Sequence, residues 1–189
     1  MSLYLLILQS GWEGALYMAK KLLMNDNVGE DVIILCKNYS PNGQPFYLWQ
    51  DKMIDWDNYE LYINVDISNM TKQWQHILAI SVDNVTTWTG TKLHLYGSPN
   101  RIRIQAIFNG VNNTKDINLA TYNKQMIQII FNKNGVYLEE ELVASIDSYY
   151  FLKSVINELK KSNVIIGSAI ANDYSVCVYN LVCLRKYQG

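Results

Sequence analysis

The chain has 189 residues, 16 Lys and Arg against 17 Asp and Glu, and a formal charge of -1; 49% of its residues are hydrophobic and 17% charged. That length suits one domain with a sizeable buried core, and the low charge excludes general disorder. The balanced charge also excludes the clustered basic face on which phosphate-tracking nucleic-acid binding rests, because Lys20-Lys21, Arg101/Arg103, Lys160-Lys161 and Arg185-Lys186 read as solvated edges.

Residues 3–9 read as a strand or a buried arm, too short to span a membrane and without the flanks of a signal peptide. Ser10-Gly11-Trp12-Glu13 is a capping box. Behind it Trp12, Ala15, Leu16, Ala19, Leu22 and Leu23 fall on one face of a helix, which Asn25-Asp26-Asn27 and Gly29 end. A strand follows at 32–36, and Ser40-Pro41-Asn42-Gly43 is a turn.

From residue 45 the character is short strands separated by turns. The predicted strands are 45–50, 59–67, 74–82, 91–97 and 101–108, with a turn at Asp51-Lys52 and a polar loop around Trp88. In 59–67, Leu61, Ile63, Val65 and Ile67 alternate with polar residues; in 101–108, Ile102, Ile104 and Ala106 point inward and Asn109-Gly110 closes the strand. A hairpin joins 126–131 to 136–143 through the four-residue loop Asn132-Lys133-Asn134-Gly135. A helix is predicted near 148–161 from Leu152, Val155, Ile156 and Leu159, and the last strands are 164–168 and 175–187. Strands at this spacing predict a mainly β protein, an antiparallel sandwich over 46–189, with 1–45 as an N-terminal arm carrying a short helix.

The segments Tyr59–Ile67, Ile77–Ser81, Lys92–Tyr96, Arg101–Ile104, Gln128–Leu138, Ile165–Ser168 and Tyr179–Leu184, in that order, resemble the laminin-G-like, or concanavalin A-like, jelly rolls. The resemblance runs from about Ile54 to Tyr187. It departs from the family at Glu139-Glu140-Glu141, where the family has Asn-Gly or Asp-Gly. The block from Ile77 through Thr86-Thr87-Trp88-Thr89-Gly90 to Tyr96 also resembles laminin-G-like modules in virion proteins of crAss-like phages of Bacteroides-type bacteria. The resemblance implies a non-enzymatic structural or adhesive component of a virion: a head fibre, capsid decoration or tail appendage. It implies other virion proteins, self-association or a cell-surface glycan as partners, and the virion as location. A bacterial lectin-like carbohydrate-binding domain is the alternative, and a glycoside hydrolase ranks last.

No catalytic constellation is evident. The Glu-x-Asp-x-x-Glu strand of the superfamily's hydrolases is missing, and the consecutive Glu139, Glu140 and Glu141 cannot all face one substrate. Asp51, Asp55 and Asp57 lack the spacing of a calcium loop. The resemblance leaves Asp83 and Asn84 as candidate Ca²⁺ ligands, and no other cofactor is expected. His76 and His94 are too few for zinc, and Cys36, Cys177 and Cys183 read as reduced thiols. Aromatic side chains are the better candidates, because sugars stack their C–H faces on exposed rings. Trp88 leads, then Tyr96, with Trp74 and Trp49 behind. Trp12, Leu16 and Leu23 are candidates for a subunit contact, with docking on the chain's own sandwich as the alternative. Neither nucleic-acid binding nor membrane insertion is expected.

Overall fold

The computed structural model describes residues 32–41, 45–82, 90–121, 125–145, 152–167 and 176–187. Among the described residues twelve strands pair antiparallel into two sheets of six. The first sheet has the order β1-β12-β3-β8-β9-β10 and the second β2-β11-β4-β5-β6-β7. Their ranges are β1 Val32–Tyr39, β2 Pro45–Met53, β3 Tyr59–Asp66, β4 Gln75–Ser81, β5 Lys92–Ser98, β6 Arg101–Phe108, β7 Val111–Asn118, β8 Met126–Asn132, β9 Gly135–Leu138, β10 Glu141–Ser145, β11 Lys161–Gly167 and β12 Val178–Lys186. A 3-10 turn, Leu119–Thr121, follows β7, and one helix, α1 Leu152–Glu158, precedes β11. The chain is thus an antiparallel sandwich, as its alternating pattern predicts, of the jelly-roll kind that the resemblance implies. No helix among the described residues is long and apolar enough to cross a membrane.

Period-two alternation builds the core. Leu61, Ile63 and Val65 of β3, Ile102, Ile104 and Ala106 of β6, and Ile127, Ile129 and Phe131 of β8 are 0–1% exposed and belong to one apolar cluster between the sheets. Helix α1 adds Val155 and Ile156, and Leu159 follows just behind it. At that end Trp56 is 2% exposed, donates Nε1–H to the Leu159 carbonyl at 3.0 Å and meets Phe131 edge-on at 4.8 Å between centroids. Asp55 holds the turn before β3, accepting from the Asp57 amide at 3.0 Å and the Asn58 side chain at 2.7 Å. Its carboxylate therefore serves a turn.

Several elements differ from the sequence-based expectation. Strand β1 lies within the stretch assigned to the arm, yet it pairs with β12 along its length, so the sandwich includes it. Asp51-Lys52 continues β2, with Lys52 opposite Ser162 and the register irregular nearby. The β8–β9 loop is two residues, Lys133-Asn134, because Asn132 and Gly135 are themselves paired. The return strand predicted over 136–143 is two strands folded at Glu139-Glu140. Strand β7 is an element the pattern did not give: VNNTKDIN is polar nearly throughout and, among the described residues, forms an edge bonded only to β6.

The β9–β10 turn stores strain. Glu139 (φ 49°) and Glu140 (φ 72°) both occupy the left-handed region, as a type I′ turn requires, without the Asn or Gly that normally stands there. Replacing the exposed Glu140 by Gly should relieve this and raise stability by about 1 kcal/mol, after the entropy glycine adds to the unfolded chain. A higher urea midpoint for Glu140→Gly checks it; a lower one contradicts it.

Candidate functional site

The outward positions of the first sheet carry polar side chains where the inward ones carry the core. Across β12, β3 and β8 and into the β9–β10 turn, Asn180, Asn64, Gln128 and Glu139 form one row. Asn180 Nδ2 donates to Asn64 Oδ1 at 3.3 Å, and Asn64 stands opposite Gln128 in the β3–β8 register. The Gln128 amide donates to Glu139 Oε1 at 2.7 Å, while the Glu139 amide donates to the Gln128 carbonyl at 3.0 Å. The strained backbone of the turn thus fixes a carboxylate at the end of an amide row.

Three of these residues, Asn64, Gln128 and Glu139, line a groove of about 810 Å³. Gln125 and Met126 complete that side, and Pro99, Asn100, Leu119 and Ala120 line it from the second sheet's β5–β6 turn and the 3-10 turn. The Leu119 amide donates to the Asn100 carbonyl at 2.8 Å, which ties those two segments together. The volume falls in the range of small-ligand sites. Planar amides both accept and donate toward vicinal hydroxyls, the carboxylate accepts, and Met126, Leu119 and Pro99 supply apolar contact beside them. Among the described lining residues Glu139 is the one carboxylate.

At the other end of the same face, Glu60 is 8% exposed and satisfied twice, by Arg185 Nε at 2.6 Å and Asn132 Nδ2 at 3.1 Å. The Arg185 guanidinium lies 4.5 Å from the Tyr62 ring centroid. This cluster braces the sheet and leaves the groove end open.

The second sheet is buried on both faces at β4 and β5. Tyr96, expected as a glycan contact, is 3% exposed. Its hydroxyl is 2.5 Å from His94 Nδ1, and its ring meets His76 edge-on at 5.5 Å. Burial removes it from the candidates, because a sugar needs an open ring face. His76 and His94 are both 0% exposed, with ring centroids 5.7 Å apart; His76 Nδ1 bonds the Gly167 carbonyl. Burial pulls His76 down to about 4, against backbone hydrogen bonds to Gly167 and Leu78 that hold it up. Burial, with the charges of His76 and Lys92, holds His94 well below the usual imidazole range. Buried Lys92 donates from Nζ to Ser81 Oγ at 3.1 Å.

Trp74 is half-buried beside Arg101 and Arg103 at the start of β6. Cys177 packs in the core. Cys183 is also buried, and burial raises its thiol to about 11 and that of Cys36 to about 12, far from a reactive thiolate. Trp12, Leu16, Leu23, Asp83, Asn84, Trp88 and the Trp49 side chain lie outside the described residues. Among the described residues no group of three or more His, Cys, Asp or Glu could hold a metal ion.

The sandwich is a known fold. The chain is similar to the NanB sialidase from Streptococcus pneumoniae, at TM-score 0.52 and 10% identity over 82% of this chain and 26% of that one. It is also similar to the Ruminococcus gnavus IT-sialidase CBM40 bound to alpha2,3 sialyllactose (TM-score 0.46, 13% identity, 70% of this chain and 76% of that one). Sheep galectin-11 in complex with glycerol matches at TM-score 0.47 and 9% identity, over 77% of this chain and 99% of that one. The chain spans about a quarter of the NanB chain, and at such identities the likeness is one of fold. No protein-family model and no curated protein matches the chain.

The groove residues were not singled out from the sequence, where aromatic side chains drew attention. The signal was present in the outward positions of β3 and β8. Asn64 and Gln128 sit there among apolar neighbours, at positions an amide occupies at no benefit to the core.

Proposed function

We propose that this chain is a non-enzymatic glycan-binding module, and that it serves as a structural or adhesive component of a phage virion. The single observation that carries the binding reading is the groove. An amide row and one carboxylate, held by strand pairing and by a strained turn, border an open cleft of ligand size. Hydroxyl-rich neutral ligands suit such a lining, since each planar side chain can engage two adjacent hydroxyls. The resemblance of the block from Ile77 to Tyr96 to laminin-G-like modules of phage virion proteins supports the virion setting.

Gln128 is half-buried and its side chain sits at the middle of the row, so Gln128→Ala opens the groove without touching the core. For a glycan that the wild-type protein retains on an array, Gln128→Ala and Asn64→Ala should each weaken binding about tenfold, the effect of losing one or two ligand hydrogen bonds. Uniform silence of the wild-type protein across the array would overturn the binding reading. Co-purification with capsids tests the virion setting separately.

A further inference from the structure

The groove's lining residue Asn100 is followed in the chain by Arg101, which begins a second cluster of a different charge. At its centre Trp74 has φ 60°, a conformation that a bulky residue adopts only when its surroundings impose it. The Arg103 guanidinium lies over the indole, 3.7 Å from the ring centroid, and that of Arg101 lies at 5.5 Å.

The two arginines are not equivalent. Arg103 grips Asp116 with both ends of its fork, Nε to Oδ1 at 2.7 Å and Nη2 to Oδ2 at 2.9 Å. That grip holds the Asp116 carboxyl below the usual carboxylate range and the Arg103 guanidinium above its own. Arg101 reaches the same carboxylate only from Nη1 at 3.4 Å, and its side chain is 48% exposed. Two guanidinium groups against one carboxylate leave one positive charge, and the loosely engaged Arg101 carries it. Arg103 and Asp116 position the indole; Arg101 keeps donors for something else.

We propose that Arg101, next in the chain to the groove residue Asn100, and Trp74 form a second docking point that takes the anionic group of an acidic sugar, a carboxylate or a sulfate. The guanidinium fork matches two oxygens of either group, and the half-buried indole lies beside it. This rests on the glycan reading of the groove and adds the ligand's charge to it.

The test is a glycan array carrying each oligosaccharide in neutral, uronate-bearing and sulfated forms, read with wild-type protein and with Arg101→Ala. The acidic forms should bind about tenfold more tightly than their neutral counterparts, as a bidentate charged contact does. Arg101→Ala should erase that difference and leave neutral binding unchanged, and Arg101→Lys should restore only part of it. Whether uronate or sulfate gains more identifies the group. Equal binding of neutral and acidic forms, or a preference that survives Arg101→Ala, overturns this inference and spares the groove. Silence to all three forms removes both. An unchanged melting temperature for Arg101→Ala confirms that the variant is folded.

Discussion

Trp56→Ala should lower the unfolding free energy by about 4 kcal/mol, the usual loss for deleting a large buried aromatic side chain. Trp56 is 2% exposed and plugs the end of the sandwich between Phe131 and helix α1. Removing it leaves a cavity and also strips the Leu159 carbonyl of its donor. Trp56→Phe separates the two contributions. It keeps a ring against Phe131 but cannot donate, so it should cost less, about 1–2 kcal/mol. Equilibrium urea unfolding of the three proteins checks both values. A loss below about 1 kcal/mol for Trp56→Ala would mean that the end of the sandwich can collapse around the gap.

Acid should destabilise the fold well before the carboxylates titrate. His76 and His94 are buried together against Tyr96, and burial favours their neutral forms. A base whose pKa is lowered by folding binds more protons when unfolded. The stability it contributes is therefore intact above the unfolded value near 6.5 and is lost as pH falls from there toward the folded value of about 4 for His76. His76 alone should cost about 2 kcal/mol between about pH 7.5 and about pH 5. His94, also held low by burial, adds to the loss in the same direction. Urea midpoints at the two pH values give the measurement. A midpoint that stays constant or rises on acidification would show that the histidines are not buried as neutral groups.

Much of the sandwich is legible in the sequence because its strands carry one apolar face. Leu61-Ile63-Val65 and Ile102-Ile104-Ala106 alternate cleanly, and each forms part of the core. Asn109-Gly110 marks a turn whose φ values, 49° and 78°, need those two residue types. The illegible parts have physical reasons. Strand β7 has no buried face to mark it: Val111 is 56% exposed, and the strand is held by backbone pairing to β6. The β9–β10 turn is formed by Glu139-Glu140, whose preferences oppose the left-handed backbone, so pairing on both sides must impose it. Strands β4 and β5 are covered on both faces, which hid that Tyr96 and His94 lie inside.

The candidate site was less legible for a related reason. Aromatic residues signal carbohydrate contact in a sequence, but they signal burial equally well, and Tyr96 is buried. Amides at outward strand positions carry no comparable signal until the register sets Asn64 beside Gln128 and the turn brings Glu139 to Gln128. Those residues form a site through strand pairing, which a linear pattern does not display.

Backbone amide chemical shifts, recorded while a glycan retained on the array is titrated in, test the central claim most directly. The groove reading predicts that the largest shifts fall on Asn64, Leu119, Gln128 and Glu139, around the groove of about 810 Å³. Shifts confined to β1, β2 or α1, or none at saturating glycan, would contradict it.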